Sequence, residues 1–205
     1  MENPARCGGG PPSVPGVTSG TAQTALVVAV PEAEPVVGDL RLRLDPVAAL
    51  GVPAHVTVLF PFVPAPELDD HVLRRVAAVV VDLAPFGYRF SRTAWFDDRV
   101  LWLAPDDDRP FRELTGRIHA QFPAFPPFEG MFDDVVPHLT VGVDRPVGEL
   151  QQAEVDVRRR LPVEGSATEV VLLAEDSPGG RWQQRASFPL RWTGWHRRPP
   201  GPSPR

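Results

Sequence analysis

The succession of strand-like and helix-like segments predicts an α+β fold of two lobes, with mixed or antiparallel sheets lining a central groove and helices outside. Three observations carry that expectation. Short apolar runs of strand length alternate with amphipathic runs through the middle of the chain. The pair Asp97-Asp98 separates two strand-like stretches as a hairpin turn would. And one short pattern, His-x-Thr shortly after a Val-Pro step, occurs once in each half, each time opening a strand that a helix follows. Such a repeat suggests an internal duplication, two related lobes meeting at a cleft.

The elements are justified in chain order. Thr24–Val30 is an unbroken apolar run closed by Pro31, which predicts a buried strand. Over Ala33–Leu44, Val36, Val37, Leu40 and Leu44 recur at helical spacing, although Leu40, Leu42 and Leu44 alternate as a strand would. The spacing predicts a helix. Ala54–Phe60 is a strand that Pro61 ends. Glu67–Leu83 is the clearest helix: Leu68, Val72, Val76, Val79 and Leu83 form one stripe, and Pro64 and Pro66 precede it.

Phe86–Trp95 and Val100–Leu103 are the two arms of the hairpin. Pro110–Phe122 predicts a helix with Asp108 as its cap, Pro110 in the first turn, and Phe111, Leu114, Ile118 and Phe122 inward. A Pro- and Phe-rich loop, 123–137, leads into the strand His138–Val143, and Val147–Leu161 follows as a thinly striped helix. Two last strands, about Thr168–Leu173 and Gln184–Trp192, flank the turn Ser177-Pro178-Gly179-Gly180. The Gly-, Pro-, Ser- and Arg-rich ends, 1–20 and 196–205, are expected to be disordered tails around one bilobal domain at 21–195.

Composition narrows the functions. The 205 residues are 42% hydrophobic and 23% charged, ordinary values for a globular protein. No apolar stretch reaches the roughly 20 residues of a membrane span, and the first twenty residues lack a signal-peptide core, so a cytoplasmic, membrane-free protein is expected. Cys7 is the single cysteine, which excludes internal disulfides and thiolate zinc clusters. All 21 basic residues are arginine, yet the net charge is −5, a poor match to a protein that follows long nucleic acid. A small nucleotide or an RNA end suits this balance better.

The motifs are Val52-Pro53-Ala54-His55-Val56-Thr57-Val58 and Val136-Pro137-His138-Leu139-Thr140-Val141. Side chains two apart on a strand share a face. His55 and Thr57 therefore point one way, with Val56 and Val58 into the core; His138 and Thr140 repeat this in front of Leu139 and Val141. Cleaving a phosphodiester needs a base for the nucleophile and an acid for the leaving oxygen. Imidazole serves in both roles near neutral pH. A threonine hydroxyl can donate to a non-bridging phosphoryl oxygen. Two such pairs make His55 and His138 the candidate catalytic residues, and Thr57 and Thr140 the candidate phosphate ligands. A metal reading needs a third ligand, and none stands at a recognisable spacing, so neither a metal nor another cofactor is expected. The plainer reading makes both histidines strand residues bonded to neighbouring backbone. His71, His119 and His196 have no partner motif and are read as structural or solvated.

At these motifs the chain resembles the two-histidine (2H) phosphoesterase superfamily, in particular its 2'-5' RNA ligase branch. The likeness extends over Leu26 to Glu34, Gly51 to Phe62, Phe111 to Thr115 and Val136 to Val141, in that order, and so over most of residues 24–192. The resemblance implies a bilobal α+β fold with both motif strands on one groove, and metal-independent action on 2',3'-cyclic phosphates or 2'-5' phosphodiester bonds of nucleotides or RNA ends. It makes His55 and His138 the acid–base pair and Thr57 and Thr140 the phosphate donors. Family members often carry His-x-Thr-x-x-Arg; here Val143 stands where that arginine would, with Arg145 two residues on and Arg41 and Arg92 as candidate substitutes.

Phe60 and Phe62, and also Trp102 and Trp182, are candidates to stack on a base. A cyclic phosphodiesterase is the leading reading, with ligation, its reverse, behind it. A nucleotide- or RNA-binding module of the same fold without turnover is the alternative, and a structural protein built around the proline-rich tails is a third. A monomer is favoured.

Overall fold

A computed structural model describes residues 20–131 and 134–191. Cys7, His196, both expected tails and the end of the last strand at Trp192 lie outside the described residues.

Among the described residues, eight strands and five α-helices follow in the order β1 (Thr24–Ala29), α1 (Glu34–Leu44), α2 (Pro46–Ala49), β2 (His55–Leu59), α3 (Asp70–Val80), β3 (Phe86–Phe96), β4 (Val100–Pro105), α4 (Arg109–Gln121), β5 (Leu139–Val143), α5 (Val147–Arg158), β6 (Val163–Ala167), β7 (Glu169–Glu175) and β8 (Trp182–Pro189). They form two four-stranded sheets, in the orders β2-β1-β7-β8 and β5-β4-β3-β6. Every pairing among them is antiparallel, so of the two sheet types expected the antiparallel one holds throughout.

The duplication is visible in the topology. The unit β1-α1-β2-α3 recurs as β4-α4-β5-α5, and in each copy the motif strand is the edge of its sheet. Those two edges, β2 and β5, lie against each other. The first helix of each unit packs behind the motif strand of the other: α1 on β5 and α4 on β2. Gly142 makes one such approach possible, because a Cβ there would sit 2.8 Å from Leu44 Cβ on α1. Leu26, Val56, Leu101, Leu103, Leu139 and Val141 are fully buried in one cluster drawn from both sheets. Alternation along the motif strands thus buries one face, as expected for Val56, Val58, Leu139 and Val141.

Several details differ from the sequence expectation. The helix expected over Ala33–Leu44 holds, its α-helical part starting at Glu34, and Leu42, which gives the segment a strand-like alternation, is 60% exposed. The helix expected from Glu67 starts at Asp70, because Asp69 accepts from the Val72 amide and caps it there. Asp108 stands at the cap position of α4 but holds Arg112 at 2.7 Å instead of capping, and the Arg109 amide donates to Asp107. The strand β6 and the four-residue α2 have no counterpart in the sequence expectation.

Candidate active site

The first motif is assembled by α1. Pro53 favours extended backbone at Val52, and two α1 side chains hold the turn that follows. Glu34 Oε1 accepts from the Ala54 amide at 2.6 Å, and Arg41 Nη1 donates to the Val52 carbonyl at 3.3 Å. Val30 N–H donates to the Ala54 carbonyl at 2.8 Å, closing the start of β2 onto the end of β1. His55 then enters the strand half-buried, with Thr57 on the same face.

His55 Nδ1 lies 2.7 Å from the Pro53 carbonyl, and His138 Nδ1 lies 2.7 Å from the Val136 carbonyl. A carbonyl oxygen only accepts, so in both rings Nδ1 carries the hydrogen and donates it. Each imidazole is thereby held in one orientation, and each Nε2 is left for chemistry. The bonding to neighbouring backbone that the plainer reading expects is present, and it fixes the orientation of both rings.

His55, Thr57, His138 and Thr140 all line one cleft of about 290 Å³. The four residues singled out by the motifs are therefore brought together from two separate sheets. Gln23, Ala25, Val27 and Leu173 continue the cleft along the first sheet, with Phe60, Phe128 and Trp182 among its aromatic walls. Phe60 and Trp182 are neighbours, ring centroids 6.1 Å apart. Of the other aromatic candidates, Phe62 is buried against Phe122 and Phe125 and does not reach the cleft. Trp102 is buried beside His138. His71 is exposed on α3 and His119 half-buried on α4, and neither lines the cleft.

The surroundings of the two imidazoles differ. Burial, then the positive charge of Arg41, pushes the pKa of His55 down from 6.5 to about 3, against the opposing bond to Pro53. His138 is lowered by burial, with its bond to Val136 working the other way. Its ring meets Phe96 edge-on at 5.0 Å and Trp102 at 5.7 Å, and the indole Nε1 of Trp102 is buried without a partner among the described residues. With both values lowered, both rings are neutral at pH 7.

No arginine lines the cleft among the described residues. Val143 is buried in its wall, Arg92 is exposed on β3, and Arg41 is buried in an ion pair with Asp45 at 2.9 Å. Burial raises the Asp45 carboxyl pKa despite that partner. The cleft carboxylates Asp45 and Glu175, like Phe128 and Gln23, give no sequence signal: single acidic or aromatic residues far apart in the chain carry no spacing to detect. No group of three potential metal ligands comes together among the described residues, and no described helix is long and apolar enough to cross a membrane.

Two antiparallel sheets bring two oriented imidazoles, His55 opening β2 and His138 in the residue just before β5, which starts one position later than expected, to one cleft with Thr57 and Thr140, and this is the architecture of a two-histidine phosphoesterase. The family model of the 2'-5' RNA ligase superfamily matches residues 29–179, and the chain belongs to that superfamily. Among solved structures it is similar to TT0787 of Thermus thermophilus (22% identity, 82% of this chain and 98% of that one, TM-score 0.55). It is similar also to E. coli LigT, solved with 3'-AMP (17% identity, 83% and 98%, TM-score 0.54) and with NADP+ (18% identity, 84% and 99%, TM-score 0.53). No curated protein matches by sequence. The family and fold support an enzyme of the phosphoesterase and 2'-5' RNA ligase kind.

Proposed function

We propose that this protein is a metal-independent phosphodiesterase that opens nucleoside 2',3'-cyclic phosphates, or cleaves 2'-5' phosphodiester bonds at RNA ends, with His55 as base and His138 as acid. One observation carries the reading: two imidazoles, each with Nδ1 tied to the carbonyl two residues earlier and Nε2 left available, line the same cleft. The nucleotide ligands of LigT, 3'-AMP and NADP+, fit the same substrate class.

The roles follow from the electrostatics. Arg41 opposes a second positive charge at His55, so His55 stays neutral and accepts a proton from water through Nε2. His138 has no such cation acting on it, and a bound phosphate anion favours its protonated form. The water oxygen bonds to phosphorus while the phosphorus–ribose oxygen bond breaks. His138 gives its Nε2 proton to that ribose oxygen, and His55 holds the proton taken from water. Exchange with solvent restores both. Thr57 and Thr140, on the same strand faces, donate to the non-bridging oxygens as charge develops.

The test is incubation of purified protein with 2',3'-cyclic nucleotides in EDTA, with the product isomer identified. Turnover that survives chelation and yields a single monophosphate isomer is expected. Activity abolished by EDTA and restored by zinc or manganese would overturn the mechanism. Binding of cyclic nucleotide with no product over hours would leave a binding module instead.

A further inference from the structure

The cleft extends well past the histidines, and its far end carries chemistry that phosphate transfer does not use. On β1 and the residue before it, Gln23, Ala25 and Val27 face the cleft; on β7, Leu173 and Glu175 do. Val27 pairs with Thr57, so Gln23 lies four residues, roughly 13 Å, further along the sheet. Between them the floor is small and apolar: Ala25, Val27 and Leu173. Phe60, Phe128 and Trp182 also line this cleft. A flat aromatic ring fits such a slot.

At its end Glu175 is only 8% exposed. Its Oε2 accepts from the Gln23 amide at 2.9 Å, and Gln23 carbonyl accepts from the Glu175 amide at 2.9 Å, so the two residues are locked together. The second carboxylate oxygen has no hydrogen-bond partner, and Glu175 makes no ion pair, among the described residues. An ionised carboxylate only accepts. With no arginine lining the cleft, a further phosphate of an RNA chain would be repelled there, whereas a base bearing hydrogen-bond donors would be held.

We infer that Glu175 and Gln23 form a base-reading subsite that selects guanine in the cyclic nucleotide substrate. Guanine alone among the four bases presents two adjacent donors, N1–H and N2–H, on its Watson–Crick edge, which a carboxylate accepts together. Its neighbouring O6 is an acceptor for the side-chain amide of the half-buried Gln23. Adenine and cytosine set a ring acceptor beside their single amino group, and uracil flanks one donor with two acceptors. Each of these faces a carboxylate with at least one repulsive contact. This inference rests on the phosphodiesterase reading for its substrate, but its own readout is base preference.

The experiment compares kcat/KM of the full chain on guanosine, inosine, adenosine, cytidine and uridine 2',3'-cyclic phosphates. In parallel, calorimetry measures binding of guanosine and uridine 3'-monophosphates. Wild type is expected to favour guanosine by about 10- to 100-fold, as one bidentate pair discriminates. Inosine, which lacks only the N2 amino group, should lose most of that preference with no change to the protein. Glu175→Gln, nearly the same shape, should collapse the guanosine-to-uridine ratio to within a few-fold, and Gln23→Ala should reduce it less. Turnover without guanosine preference, or a preference that survives Glu175→Gln, overturns the subsite and leaves the phosphodiesterase standing. Guanosine-selective binding with no turnover of any substrate supports the subsite and removes the phosphodiesterase. Neither turnover nor selective binding overturns both.

Discussion

The two motif strands are built alike and backed differently. In both, Nδ1 of the histidine is 2.7 Å from the carbonyl two residues earlier, and a threonine follows on the same face. Behind His55 stands a polar clamp from α1, with Glu34 on the Ala54 amide and the buried Arg41–Asp45 pair reaching the Val52 carbonyl. Beside His138 stand two aromatic rings, Phe96 and Trp102, stacked on each other with centroids 4.7 Å apart. A duplicated motif supplies two equal imidazoles, and their neighbours make them unequal. In the proposed mechanism, a cation near one ring and hydrocarbon around the other divide one residue type into base and acid.

The largest expected effect tests that division directly. His55→Ala and His138→Ala should each lower kcat on a 2',3'-cyclic nucleotide by about 10²–10⁴-fold. On an aryl phosphodiester, whose phenolate departs without a proton, the His138→Ala loss should shrink while the His55→Ala loss remains. Equal shrinkage in both variants would end the assignment of acid and base.

Arg41→Met attacks the clamp behind His55. It strands the Asp45 carboxyl, 1% exposed, without its partner, so a loss of about 3–5 kcal/mol in denaturant unfolding is expected. Arg41→Met/Asp45→Asn should recover much of it, since the Asn keeps an acceptor for the Val47 amide while removing the stranded charge. If the single variant is as stable as wild type, the pair is not what braces the first motif.

Thr57→Val and Thr140→Val remove one donor each and should cost about 10–100-fold in kcat with little change in KM. Because their strands are related by the duplication, the two losses should match within a few-fold. A loss confined to one threonine would show the phosphate seated in one lobe.

The smallest effect is a displacement of the pH profile. His55 stays unprotonated down to about 3, so kcat/KM should have its acid limb there. The alkaline limb reports the acid His138, lowered from 6.5, so it should fall below that value in the free enzyme and move upward in kcat once phosphate is bound. Both limbs belong to the coupled pair. Removing Arg41 together with its partner charge should raise the acid limb. Stability follows the same sign: both rings bind protons more readily in the unfolded chain, so their contribution is complete above 6.5 and is lost as pH falls toward about 3. A melting temperature flat between pH 7 and pH 4 would contradict it.

Much of this was legible in the residues. The order of the larger elements, the hairpin at Asp97 and the two histidine–threonine faces all follow from periodicities of 2 and 3.6 and from proline punctuation, which act over a few residues. The strand β6 escaped because Val-Glu-Gly-Ser-Ala has little apolar alternation; it forms by pairing with the edge of β3 opposite β4. Asp108 has the right type and position for a cap, but its carboxylate is held by Arg112.

By itself the sequence determined which side chains could do acid–base chemistry and that each would stand on the outward face of a strand, because alternation is a property of the local backbone. Only the tertiary structure decided what surrounds them. The meeting of β2 and β5 at the edges of two sheets, the burial of Arg41 beneath His55, and the convergence of Gln23 with Glu175, 152 residues apart, are all long-range. Proton affinity and substrate recognition depend on desolvation and on charges brought close in space, and no spacing along the chain encodes those distances.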